Sequence, residues 1–262
     1  MLAVAGLWLP AQSFAATLGA GVSPSKFELR AKPGQVLRDT LTVLNASEEP
    51  SEFQFRTVDW RLNDTKGVDY IEGELPEGSC RPWVRLERKA VKIRPGGQKK
   101  YRFEVHVPED APPGLCRFAI MIEPSDELVS SLGADGQIRF PIVGRYAVIT
   151  YVTVGDAKAE IDYLGMGQTF ISDQRLPTLK LRNQGNTYDR AFGEVTATDP
   201  NGQKIILIAS TFPVLPDRTE EIALAPRAPA PGESSVSFQY PLQLKGKIEI
   251  GGKTIKVEET FD

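Results

Sequence analysis

Short runs of alternating apolar and polar residues, separated at close spacing by turn residues, fill the first half of this chain and leave no stretch with a helical period. SKFELRA (25–31), DTLTVLNA (39–46), EFQFRTVDW (52–60), WVRLERKAVKI (83–93), KKYRFEVHV (99–107) and CRFAIMIE (116–123) are the runs. KPG, NASEEP, DTKG, RPGG, PEDAPPG and SSLGADG punctuate them. Strands of this length at this spacing predict an all-β sandwich. The 20 prolines and 23 glycines of the 262 residues fit the number of turns such a fold needs.

A chain of this length holds one large or two ordinary domains, and an internal echo favours two. TLTVLN (40–45) returns as TLKLRN (178–183), each time before a polar turn, at a separation too large for a solenoid repeat. The expectation is two tandem immunoglobulin-like sandwiches, residues 17–154 and 155–262, meeting at Gly155-Asp156-Ala157 without a Pro- or Ser-rich tether.

Residues 1–16, MLAVAGLWLPAQSFAA, are apolar, uncharged and close on small residues, as the later part of a secretory signal peptide does. A buried first strand or helix is the plainer alternative. No later apolar run approaches the ~20 residues of a membrane span. Export puts Cys80 and Cys116 in an oxidising compartment, where an even count favours a disulfide over two buried thiols. The expected location is periplasmic, with secretion or the cell surface as the alternative.

Chemistry is sparse. His106 is the only histidine and sits within a strand's alternation, and no G-x-S-x-G, H-E-x-x-H or phosphate-binding glycine loop is present. An enzyme is not expected, nor a cofactor or a resident metal; Asp64 and Asp69 fit a solvated turn better than a calcium site. A formal charge of -3 gives no reason to expect nucleic acid. One basic stretch stands out: Arg81, Arg85, Arg88, Lys89, Lys92, Arg94, Lys99, Lys100 and Arg102, against Glu87 alone. It fits a cationic face for an acidic partner or simply a solvated outer surface.

The run QIRFPIVGRYAVITYVTV (137–154) is longer and more apolar than a strand usually is. Pro141 removes a backbone donor and confines its first half to an edge or a bulge. Ile138, Phe140 and Ile142 then share one face, and an open edge there suits addition of a partner's strand.

The order of motifs in the first domain resembles the periplasmic pilus (fimbrial) assembly chaperones. Ser23-Pro24-Ser25-Lys26-Phe27-Glu28-Leu29 is similar to that family's opening strand, PGQ followed by LTVLN to its second, and Trp60, Trp83 and Lys92-Ile93-Arg94-Pro95-Gly96 to its later blocks. The resemblance implies a chaperone that lends the last strand of its first domain to a subunit lacking one. Two basic residues of the interdomain cleft hold that subunit's C-terminal carboxylate. On this chain it points to Lys26 and Arg145 as the carboxylate anchor and to Ile138, Phe140 and Ile142 as the donor row. The implied partners are pilin-like or other secreted subunits and an outer-membrane usher. Lys26 stands where the family usually carries Arg, and a lysine cannot form arginine's two-pronged contact with a carboxylate. The second domain is similar to bacterial immunoglobulin-like modules in general, so the competing expectation is a secreted or cell-surface module that binds without chaperone activity.

Overall fold

Alternation sets the layers. In the first strands every second residue is large and apolar, and such a strand is stable only with that face against another sheet. The computed structural model describes residues 20–76, 78–125, 144–171, 173–228 and 236–262, and the backbone of 131–132 and 138–139. The apolar leader predicted at 1–16 lies outside the described residues.

The first half contributes β1 (Ala20–Ser23), β2 (Lys26–Ala31), β3 (Val36–Asn45), β4 (Ser51–Leu62), β5 (Val68–Ile71), β6 (Val84–Leu86), β7 (Ala90–Ile93), β8 (Gln98–His106), β9 (Gly114–Pro124), β10 (Ser131–Leu132), β11 (Ile138–Arg139) and β12 (Tyr146–Val154). One sheet has the order β1-β3-β8-β6; the other runs β2-β12-β9-β4-β5, with β7 also on β4. Leu41, Val43, Tyr101, Phe103 and Val105 from the first sheet, and Phe53, Phe118, Ile120, Ile122 and Val152 from the second, are almost fully buried. Rings join the layers: Phe55 stacks on Tyr101 at 3.7 Å between centroids, and Phe27 meets Phe103 edge-on at 5.0 Å.

The second half contributes β13 (Ile161–Ile171), β14 (Gln174–Asn183), β15 (Asp189–Arg190), β16 (Phe192–Thr198), β17 (Lys204–Ala209), β18 (Pro213–Val214), β19 (Thr219–Pro226), β20 (Leu242–Ile250) and β21 (Lys253–Phe261). Their order is β13-β14-β19-β17-β16-β20-β21, with β15 and β18 as a separate pair. Strand β19 changes partner along its length: Thr219–Ala223 pairs with β14 and Leu224–Pro226 with β17. That switch folds the sheet into two layers, and Leu179, Leu181, Val195, Leu207, Ile222, Leu224, Leu242 and Ile248 fill the space inside them.

The chain is therefore all-β, with immunoglobulin-like sandwiches as expected. Its contacts cluster into two units, the described parts of residues 1–28, 36–107 and 117–151, and of 29–35, 108–116 and 152–262. Two expectations need correction. Residues 137–154 are not one continuous strand: β11 pairs with β10 in a two-residue ladder, Gly144 and Arg145 are not in a strand, and β12 begins at Tyr146. The run's second half, β12, is interior, flanked by β2 and β9, while most of the first half, where the edge was expected, lies outside the described residues. Hydrogen bonds from Ile149 N to Ser25 O and from Gly155 N to Ala31 O advance together along both segments, so β2 lies parallel to β12. The run WVRLERKAVKI also differs from the one strand expected, since Trp83 ends a turn and Val84–Leu86 and Ala90–Ile93 are separate strands. Cys80 precedes a single 3-10 turn, Arg81–Trp83, and the strand starts at Val84, because Pro82 supplies no backbone donor to a ladder.

Candidate functional site

The residues proposed from sequence fall into three groups. Phe140 and Ile142 lie outside the described residues, and Ile138 is described only as backbone, paired through the ladder Leu132↔Ile138.

Lys26 and Arg145 both belong to the first unit. Lys26 opens β2, and its ammonium, half exposed, meets Glu28 Oε1 at 2.9 Å. Arg145 immediately precedes β12 and is 64% exposed; its Nε lies 3.2 Å from Glu123 Oε2 on β9. Glu123 also accepts from Arg56 Nε at 3.0 Å, and Arg56 reaches Glu72 Oε1 at 3.0 Å. Arg145 is thus one end of a four-membered chain of alternating charge, in which the Glu123 hydrogen bond holds the Arg56 guanidinium above its usual pKa. The parallel register sets Lys26 beside Ile149 rather than beside Arg145. Arg145 stands several residues upstream, on the order of 15 Å along the strand at about 3.3 Å per residue. Two exposed cations, each already on a carboxylate, can exchange that carboxylate for another at little cost, since surface ion pairs are worth ~0–1 kcal/mol.

Cys80 and Cys116 form the disulfide. The residues on either side of Cys80 converge on a buried carboxylate, Asp59 in β4, only 5% exposed. Ser79 Oγ donates to its two oxygens at 2.9 and 3.1 Å, and Arg81 Nη1 donates at 3.3 Å. On the next residue of β4, Trp60 donates its indole N–H to Phe118 O at 3.1 Å, lies edge-on to Tyr151 and carries the Arg117 guanidinium 5.0 Å above its ring. Nothing in the local sequence singled out Asp59; only the spacing Ser79-Cys80-Arg81 hints at a polar clamp around the bridge.

The basic stretch is sorted by the pleat. Lys100 and Arg102 point out from β8 and are exposed, while Tyr101 and Phe103 point in. A groove of about 480 Å³ crosses this outer face, with Arg38, Arg85, Arg102, Glu87 and Glu104 on its walls. Its carboxylates are engaged: Glu104 holds Arg38 at 2.7 Å and His106 at 2.7 Å, and Glu87 takes Arg88 at 2.6 Å and Arg102 at 3.3 Å. The Arg102 backbone N–H, then the Arg102 and Arg88 guanidiniums, pull the Glu87 carboxyl down to about 2. With a depressed folded value, Glu87 stabilises the fold fully above the unfolded carboxyl pKa of ~4.3 and loses that contribution as pH falls through about 2. A carboxyl-carbon NMR titration should place the Glu87 midpoint near that low value. Arg102→Ala should raise it only part-way, because the backbone donor stays; a midpoint above 4 in the wild-type chain would contradict the arrangement.

Asp69 is held by Asn63 Nδ2 at 3.0 Å and Arg61 Nε at 3.4 Å, the pairing of a turn. Among the described residues no group of three or more His, Cys, Asp or Glu side chains is placed to hold a metal ion, and no helix is long and apolar enough to cross a membrane.

The echo first seen in sequence proves to be two copies of one corner. Asn45 and Asn183, each at the end of its strand, are 0% exposed. Asn45 Nδ2 donates to Glu49 O at 2.8 Å and to Ile93 O at 3.1 Å, and its Oδ1 accepts from Ser47 N at 3.0 Å. Asn183 Nδ2 donates to Thr187 O at 2.8 Å and Val214 O at 2.9 Å, and its Oδ1 accepts from Gly185 N at 2.9 Å and Glu160 N at 3.1 Å. The same offsets recur: the carbonyl four residues on, the amide two residues on, and a distant strand. Gly185 is required by closeness, since a Cβ there would lie 2.2 Å from Lys158 O. Sequence reasoning found the repeat but not the role of its asparagines.

Sandwich architecture of this kind, in two units, is the immunoglobulin-like fold of the fimbrial chaperones. The class 5 fimbriae chaperone CfaA has the same fold at a TM-score of 0.50, with 12% identity over 92% of this chain and 96% of that one. A chain from a chaperone–tip adhesin complex of CFA/I fimbriae biogenesis matches at a TM-score of 0.48, with 13% identity over 88% of this chain and 98% of its own. A chain of the CsuC–CsuE pre-assembly complex from Csu pili of Acinetobacter baumannii matches at 0.45, with 14% identity over 91% and 97%. No family profile matches the chain, and no curated protein matches its sequence significantly. The resemblance drawn from the first-domain motifs therefore holds at the level of the fold.

Proposed function

We propose that this chain is a periplasmic chaperone for pilus-type or other exported subunits. The observation that carries the reading is the fold it shares with CfaA over nearly its whole length. A fold alone does not specify an activity, so the test falls on particular residues. In this reading Ile138, Phe140 and Ile142 lend a row of apolar side chains to a subunit that lacks a strand. Lys26 and Arg145 take the subunit's C-terminal carboxylate in exchange for Glu28 and Glu123. Residues 1–16 direct export, 17–154 form the chaperone-type domain and 155–262 the second domain. An outer-membrane usher receives the loaded complex, and no catalytic step is involved.

Phe140→Asp, Lys26→Ala and Arg145→Ala separate this reading from a passive surface module. If Phe140 fills a groove in a subunit, its replacement should abolish co-purification of an exported subunit from a periplasmic extract while the thermal transition stays within about 0.5 kcal/mol of wild type. Loss of either cation should weaken the complex by about 2–5 kcal/mol. Melting of the Phe140→Asp variant by several kcal/mol, with capture indifferent to both cation replacements, would instead favour a module that uses these residues for its own core.

A further inference from the structure

Among the described residues, strand β13 is the outermost of the second unit's sheet order and shares a backbone ladder only with β14. Open edges invite pairing, and proteins blunt them with bulges, lysines, prolines or charges. The first part of β13 uses such devices. A register shift falls between Tyr163 and Gly165, Lys253 Nζ donates to the Ile161 carbonyl at 2.8 Å, and the Tyr163 phenol donates to Glu259 at 2.9 Å. Gly165, with φ +121°, closes that bulge, and from Met166 to Ile171 no such device is present among the described residues. The segment GMGQTFI has no charge and no proline, and its ladder with β14 is regular. Gln168, Phe170 and Ile171 are exposed, Phe170 at 65% and Ile171 at 47%. Apart from that ladder, no hydrogen bond or ion pair among the described residues involves these seven.

Antiparallel pairing of this segment with itself, about a two-fold axis at Gln168, gives a matched register. Gly165 comes opposite Ile171, Met166 opposite Phe170, Gly167 opposite Thr169, and Gln168 opposite its own copy. Each glycine is covered by a larger side chain and the thioether meets an aromatic ring, both favourable cross-strand neighbours. The strand's one charge, Asp162, falls beyond the paired stretch, so no like charges oppose one another. We infer that Gly165–Ile171 is a docking edge for a second copy of this chain, joined through a continuous two-fold sheet. Seven residues bury less than the ~1,200 Å² of a standard interface. The dimer is accordingly weak and forms with rising concentration. None of the residues assigned to subunit binding takes part, so the inference stands apart from the chaperone reading.

Sedimentation velocity of the full chain across micromolar concentrations tests it, with circular dichroism confirming the fold of each variant. Wild type should move from monomer to dimer. Gln168→Lys or Gln168→Glu alone places like charges across the axis and should weaken the dimer at least ~10-fold, whereas an equimolar mixture of the two should restore association. Phe170→Ser, which loses the Met166 contact without adding charge, should weaken it as well. A wild-type chain that stays monomeric throughout, a Gln168→Lys variant that associates like wild type, or a mixture that fails to restore association overturns the inference.

Discussion

Replacing Cys80 and Cys116 together by alanine should lower the melting transition of the proposed 17–154 domain, which holds both cysteines, by on the order of 10 °C and leave that of 155–262 in place. The bridge closes a loop of about 35 residues, which on the chain-entropy account contributes ~4 kcal/mol. Burial adds to that. Cys80 is 1% and Cys116 5% exposed, so the pair lies in packed surroundings where two smaller side chains leave a void. The bridge also anchors the segment that carries Ser79 and Arg81 to Asp59. Once it is gone, that segment can move away from a buried carboxylate, whose pairing is worth more broken than made. Two-probe denaturation, with near-ultraviolet circular dichroism for Trp60 and Trp83 and amide exchange for the second unit, separates the transitions. A single transition, shifted as a whole, would show that the two halves do not unfold independently and would count against the proposed domains at 17–154 and 155–262.

Asn183→Ala should destabilise the second unit by about 3–4 kcal/mol. The side chain makes four hydrogen bonds from a fully buried position, two as donor and two as acceptor. Alanine removes all four and strands the carbonyls of Thr187 and Val214 and the amides of Gly185 and Glu160, each of which then carries a desolvation cost of ~1–3 kcal/mol unless water reaches it. Asn183→Asp keeps the acceptor but loses both donors and buries a charge, so it should do no better. Asn45→Ala should act alike on the first unit, since Asn45 occupies the same corner. Chemical denaturation of the three variants decides the point. A change below about 1 kcal/mol in both alanine variants would mean that water replaces the clamps.

These corners show where sequence was informative and where it stopped. The strands of the two sandwiches were visible because period-2 alternation is a local property, and TLTVLN against TLKLRN pointed to two similar halves. An asparagine after a strand, however, looks the same whether it ends a solvated turn or ties a corner to Ile93 or Val214, tens of residues away. Burial is set by what packs there. The same limit explains the broken run at 137–154: β-branched and aromatic residues favour extended backbone throughout, but a strand persists only where a neighbour pairs with it. At the described ends those neighbours are β10 for β11, and β2 and β9 for β12. Lys26 and Arg145 were chosen for charge and position in the chain, and their separation along β12 depends on a parallel register that alternation does not encode.

That register has a consequence for any guest strand. Among the described residues β2 lies along one flank of β12 from Ile149 onward, so on the proposed reading the host's own short strand would act as a doorstop. An incoming chain laid along this flank must halt at Val148 or evict six residues together with Phe27, whose ring is wedged against Phe103. On that reading the length of the flank left to a guest, and with it the point in the guest that would come to rest there, is set by the host before any guest arrives.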